Sequence, residues 1–236
     1  MSLSEEQFAR AAAAEAGVLR VQQLQRMNHR ELQSLLSGDP SSVAPWVRSA
    51  AECGIAAAQL RLGRMLLAGQ GVERDVAAAF DWFTRAAAQR DAAAMNMVGR
   101  CHENGWGTAL DLGLAAHWYE SSANLGHDWG QYNFANMLFD GRGIGADRPQ
   151  AFLWYSHAAR QGHARAMNLL GRCYEEGWGC GKNLAAAFDW YRRSAEGGYY
   201  RAQWNYAAAL AERGLKQEAA EWFRKAAEAA RTAAPP

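Results

Sequence analysis

The chain has 236 residues, with 25 Lys and Arg against 24 Asp and Glu and a formal net charge of +1, so it lacks the basic footprint that nucleic-acid binding requires. Half of the residues are hydrophobic, enough for a substantial core in one large domain or two small ones. Glu5, Glu6 and Arg10 near the start, with Glu15 interrupting the alanine-rich stretch behind them, exclude a signal-peptide core and a membrane span there, and a cytoplasmic protein without membrane insertion is expected.

In chain order, the first predicted elements are two helices. Ser4 with Gln7 reads as a capping box ahead of an alanine-rich run, and Asn28 with Glu31 opens a second helix. Residues 1–41 are therefore expected to be N-terminal capping helices, with residues 37–42 forming a loop. A partial unit covers 42–55, full units follow at about 56–91, 92–127, 128–163 and 164–199, and a short unit covers 200–228. Tryptophan marks this frame: Trp46, Trp82, Trp118, Trp154 and Trp190 stand 36 residues apart, and Trp222 follows after 32. Gly63, Gly99, Ala135, Gly171 and Ala207 keep the same register. A fixed period of this length marks supersecondary units that stack because none can bury its own apolar face. Residues 229–236, ending in two prolines, are expected to form a disordered tail.

Each unit reads as two helices. The first ends at a Gly-x-Gly stretch (69–71, 105–107, 141–143, 177–179), where glycine permits the positive φ of a helix stop. The second starts at Asp75, Asp111, Asp147 or Asn183, whose side chains accept hydrogen bonds from otherwise unpaired backbone N–H groups. Small residues such as Gly63 and Gly171 allow close helix approach. Trp82-Phe83, Trp118-Tyr119, Trp154-Tyr155, Trp190-Tyr191 and Trp222-Phe223 supply the large apolar surfaces that make neighbouring units stack. Cys53, Cys101, Cys173 and Cys180 include no Cys-x-x-Cys pair, and Cys101 and Cys173 hold matching positions two repeat lengths apart. They read as reduced, packing thiols.

The pattern Ala-x-x-x-Leu-Gly, then Gly-x-Gly-Val, Asp, Ala, Trp-Phe and Ala-Ala, is clearest over residues 58–87. It resembles the Sel1-like repeat branch of the tetratricopeptide superfamily over about residues 42–228. The last unit lacks the Gly-x-Gly insertion and is similar to an ordinary tetratricopeptide motif. The resemblance implies an all-α fold, a right-handed α/α superhelix built as a solenoid of antiparallel helix hairpins. It also implies a protein that binds another protein or a peptide.

No catalytic or metal-binding motif is found: the sequence has no His-Glu-x-x-His, no Gly-x-Ser-x-Gly and no Walker-type phosphate loop. No cofactor is expected. In tetratricopeptide-like solenoids the first-helix positions not needed for stacking face a groove. Three such rows can be read: Arg64, Arg100, Asn136, Arg172 and Ala208; Arg61, Met97, Asn133, Leu169 and Asn205; and Ala57, Ala93, Trp129, Arg165 and Arg201. By that resemblance, Asn133, Asn136, Arg165, Arg172, Arg201 and Asn205 are assigned to partner binding, Arg as a fork for carboxylates and Asn as donor and acceptor for peptide groups. Trp129 and Trp204 join them as large aromatics of the kind found at binding hot spots, beside Tyr132, Tyr199 and Tyr200, with core or inter-repeat stacking as the competing role for these rings. The competing reading makes Arg100 and Arg172 members of ordinary surface pairs with nearby glutamates. Trp106 and Trp178 occupy Gly-x-Gly loops that need no tryptophan to turn; each either serves recognition or folds over its neighbour. The expected protein is a monomeric interaction scaffold holding an extended peptide or acidic segment. Two other readings stand beside it: a hydrolase acting on β-lactams or cell-wall glycans, as the resemblance to cysteine-rich members implies, and a self-assembling structural protein.

Overall fold

A computed structural model describes residues 16–23, 26–27, 30 and 39–232. The proposed capping boxes at Ser4 and Asn28 lie outside these residues. Residues 16–23 are helical, and the Arg20 guanidinium donates to Ser49 Oγ at 3.5 Å. The described residues contain no strand, and the fold is an all-α helical-repeat solenoid.

Two compact units are present, Met1–Asp111 and Leu112–Pro236. The first contains α1 (Pro40–Glu52), α2 (Ala56–Ala68), α3 (Val76–Ala88) and α4 (Ala92–Asn104). The second contains α5 (Leu112–Asn124), α6 (Asp128–Asp140), α7 (Arg148–Arg160), α8 (Ala164–Glu176), α9 (Leu184–Glu196), α10 (Tyr200–Glu212) and α11 (Lys216–Thr232). Within each unit, every helix packs on the next.

The helix boundaries follow from local chemistry. The Asp75 carboxylate accepts from Ala77 N and Ala78 N at 3.0 and 2.9 Å, Asp147 accepts from Gln150 N at 2.9 Å, and Asn183 accepts from Ala186 N at 3.0 Å. Each satisfies N–H groups that have no partner inside the helix. Gly69, Gly105, Gly141 and Gly177 stop α2, α4, α6 and α8 in the left-handed conformation. The second glycine of each loop has a different role. A Cβ on Gly179 would fall on the backbone carbonyl of Arg148, at the start of α7, so this glycine marks where one repeat touches the first turn of the preceding one.

Two boundaries depart from expectation. The loop assigned to 37–42 gives way at Pro40, because the Asp39 side chain caps Ser41 N at 3.0 Å and Pro40 occupies the first helical position. The tail assigned to 229–236 is helical through Thr232, since its alanines favour helix and Ala226 is buried.

The core is built less from the tryptophan ladder than from the residue after each tryptophan. Phe83, Tyr119, Tyr155 and Tyr191 are at most 2 % exposed, whereas Trp82, Trp118, Trp154 and Trp190 are half-buried. One residue is a 100° step around a helix, so only one member of each pair points straight at the neighbouring helix. Gly171 makes room for one of these rings: a Cβ there would lie 2.7 Å from Tyr191. The Tyr191 hydroxyl in turn donates to Glu175 at 2.7 Å.

Candidate functional site

On α8, Arg165, Asn168, Leu169 and Arg172 follow i, i+3, i+4, i+7 spacing and share one helix face. Arg201, Trp204 and Asn205 repeat the spacing on α10, and Trp129, Tyr132, Asn133 and Asn136 repeat it on α6. The three rows read from the sequence thus gain a fourth between them: Tyr132, Asn168 and Trp204.

A cavity of about 570 Å³ opens on this face within the 112–236 unit. Arg165, Asn168, Leu169 and Arg172 line it from α8. Arg201, Trp204 and Asn205 line it from α10, with Tyr199 and Tyr200 at the entry to that helix and Tyr132 from α6. Ala226, Ala227 and Ala230 line it from α11. No carboxylate is among the lining residues.

The three arginines are held by aromatic rings. Arg165 lies over Trp129 at 5.3 Å and Tyr199 at 6.0 Å, Arg172 over Trp178 at 4.9 Å, and Arg201 over Tyr200 at 5.7 Å. Arg201 Nε also donates to the Tyr200 hydroxyl at 3.1 Å, and that bond raises the arginine's pKa above its ordinary value. Among the described residues, none of the three arginines makes an ion pair with a carboxylate. Glu175, a candidate partner for Arg172, instead accepts the Tyr191 hydroxyl. A guanidinium over a ring can still offer N–H groups to an incoming anion, and Arg201, whose Nε is engaged by Tyr200, keeps its two Nη groups for that role.

Asn205 Nδ2 donates to Asn168 Oδ1 at 2.8 Å, tying adjacent repeats together across the floor of the cavity. Asn168 is 5 % exposed. Sequence reasoning missed it because its row was not read, although Asn96 occupies the matching position two repeats earlier. The alanines of α11 were missed because that stretch was assigned to the end of the short unit and the tail.

Of the predicted residues, Arg165, Arg172, Arg201, Trp204 and Asn205 line the cavity. Trp129 stands beside it, 40 % exposed, packed edge-on to His163 at 4.5 Å. Asn133 is half-buried and outside the lining. Asn136 accepts the buried Tyr155 hydroxyl at 2.7 Å, which gives it a part in core packing. Trp178 packs on Phe139 at 5.1 Å beneath Arg172 and Arg148. In the other unit, Trp106 is half-buried with Arg100 over its ring at 5.1 Å. Both loop indoles therefore cover neighbouring side chains.

The described residues contain no group of three or more His, Cys, Asp or Glu side chains that could hold a metal ion, and none of their helices is long and apolar enough to cross a membrane. Burial pushes the Cys101 thiol up to about 11 and the Cys173 thiol up to about 12, which suits packing and disfavours the reactive thiolate.

The Sel1 repeat family profile matches residues 56–91, 92–127, 130–163, 164–199 and 201–230. No curated protein sequence matches the chain. Among solved structures, a Sel1 repeat protein from Oxalobacter formigenes has 28% identity and a TM-score of 0.77, with 93% of this chain and 87% of that one covered. The protective antigen c5321 of uropathogenic Escherichia coli, which displays the same repeat fold, has 30% identity and a TM-score of 0.70. There the match covers 92% of this chain but 46% of the antigen, so this chain spans about half of that relative's length. An immunity protein, Pa5087 from Pseudomonas aeruginosa, has 20% identity and a TM-score of 0.54, with 82% of this chain and 73% of that one covered, a likeness of fold.

Proposed function

Because the chain belongs to the Sel1 repeat family, whose members generally mediate protein–protein interaction, we propose that its 112–236 unit holds an extended acidic segment of a partner protein in the cavity between α8, α10 and α11. The observation that carries this reading is the lining itself: three guanidinium groups and no carboxylate. An isolated cluster of like charge repels itself, and a partner carboxylate relieves that repulsion while forming charge-assisted, often bidentate hydrogen bonds. The linked amides of Asn168 and Asn205 spend one oxygen and one nitrogen on each other, leaving a donor and an acceptor suited to a peptide group.

Arg165 and Arg201 are exposed, so replacing them removes charge without opening the core. Affinity capture from native lysate, with the intact protein and the Arg165→Ala/Arg201→Ala variant side by side, tests the reading. The variant should lose the proteins that the intact chain retains, while its thermal midpoint stays within a few degrees, as expected for surface changes of about 0.5 kcal/mol. Equal retention by both would reject this cavity as the binding surface.

A further inference from the structure

Resting on that reading, we infer that the acidic segment anchors through one aromatic side chain, seated against Trp204 and the alanines of α11, with its flanking carboxylates on Arg165, Arg172 and Arg201. Charge alone does not account for the lining. Beside the arginines stand Leu169, Tyr199 and Trp204, and a purely acidic occupant would leave these apolar surfaces against solvated backbone.

Trp204 is 58 % exposed, and among the described residues its ring contact is with Phe223, edge-on at 4.7 Å. The tryptophans of the repeat ladder, by contrast, are half-buried. A large exposed indole lining a cavity beside arginines that have no carboxylate partner among the described residues is the composition of a binding hot spot, where aromatic and Arg side chains carry most of the affinity. From α11, Ala226, Ala227 and Ala230, on the helix face that carries Phe223, end at Cβ and line the same cavity as Trp204. The volume of about 570 Å³ lies inside the range of roughly 300–1,000 Å³ typical of pockets that bury most of a ligand. A ring entering there meets Trp204 edge-on or offset and places the adjoining residues beside Arg165 and Arg201.

Calorimetric titration with three heptapeptides tests the anchor. The first carries six glutamates around a central phenylalanine, the second six glutamates around a central alanine, and the third six lysines around a central phenylalanine. The glutamate peptide with phenylalanine should bind the intact chain about tenfold more tightly than its alanine counterpart, a ring contact plus its burial. In Trp204→Ala that ratio should fall to about one. Ala230→Trp, a change at an exposed helical position, should fill the cavity and weaken both acidic peptides while the circular dichroism spectrum is unchanged. Equal binding of the two acidic peptides by the intact chain overturns the anchor. The acidic-segment reading then stands if both peptides lose affinity for Arg165→Ala/Arg201→Ala. Binding of the lysine peptide as tightly as the glutamate one, or failure of every peptide to bind, overturns both readings.

Discussion

The residue just before each first helix is Ile55, Asp91, His127, His163 or Tyr199, and His163 is the one whose ring itself serves as the cap. Its Nδ1 accepts from Ala166 N at 3.1 Å, so the ring's proton belongs on Nε2, which is buried without a hydrogen-bond partner. Tyr132 stacks on the ring at 4.8 Å and Trp129 meets it edge-on. Burial lowers its pKa below the ordinary value, with Arg165 and His127 acting in the same direction and Asp128 opposing them. An unfolded chain therefore takes up this proton first as the pH falls. The stability that neutral His163 contributes is fully present above the ordinary histidine value of about 6.5 and is lost progressively below it. His163→Asn keeps an N-cap side chain and removes the titration. Thermal melts from pH 7.5 to pH 5 should show a smaller fall in midpoint for this variant than for the parent; parallel curves would show that His163 contributes nothing to the acid sensitivity.

At the scale of an element, the Gly-x-Gly loop shows what the repeat pattern conveys and what it hides. Its first glycine stops the helix, as the spacing of glycine before Asp or Asn predicted. Its second glycine adopts φ +73° at position 179 and abuts the Arg148 carbonyl, a contact between backbone atoms 31 positions apart that no local periodicity reports. Gly179→Ala should therefore lower stability in urea by about 1–3 kcal/mol, because a Cβ there is strained by φ and blocked by backbone at once. Gly181 is the control, since a Cβ there meets nothing within 4 Å. Gly181→Ala should stay within about 0.5 kcal/mol of the parent, and equal behaviour of the two variants would refute the inter-repeat role. The helix caps were legible because capping depends on residues two or three positions apart. The depth of the aromatic ladder was not, because which of Trp190 and Tyr191 is buried depends on how α9 is rotated against its neighbours. The run to Thr232 was hidden by the prolines that follow it, which drew the tail assignment back to residue 229.

For the molecule as a whole, repetition made the all-α solenoid readable from one sequence, since each unit restates the same instruction and stability accumulates from units and their interfaces. The proposed binding surface was legible only in part. Arg165, Arg172, Arg201 and Asn205 stand in rows set by helical register and Trp204 was singled out as a large aromatic, whereas Asn168 sat in an unread row and α11 contributes lining residues that register within one helix cannot foresee. Asn136, read from the same rows, is engaged with the Tyr155 hydroxyl, a bond set by packing between α6 and α7. Every residue of the cavity belongs to the 112–236 unit. The most direct measurement is a two-dimensional ¹⁵N NMR titration of the full chain with the phenylalanine-centred acidic heptapeptide. The account predicts saturable shifts of the Trp204 indole N–H, of the Asn168 and Asn205 side-chain amides and of the backbone around Arg165, Arg201 and Ala230, with residues 39–111 unmoved. Saturable shifts confined to 39–111, or no shifts at any peptide concentration, would contradict it.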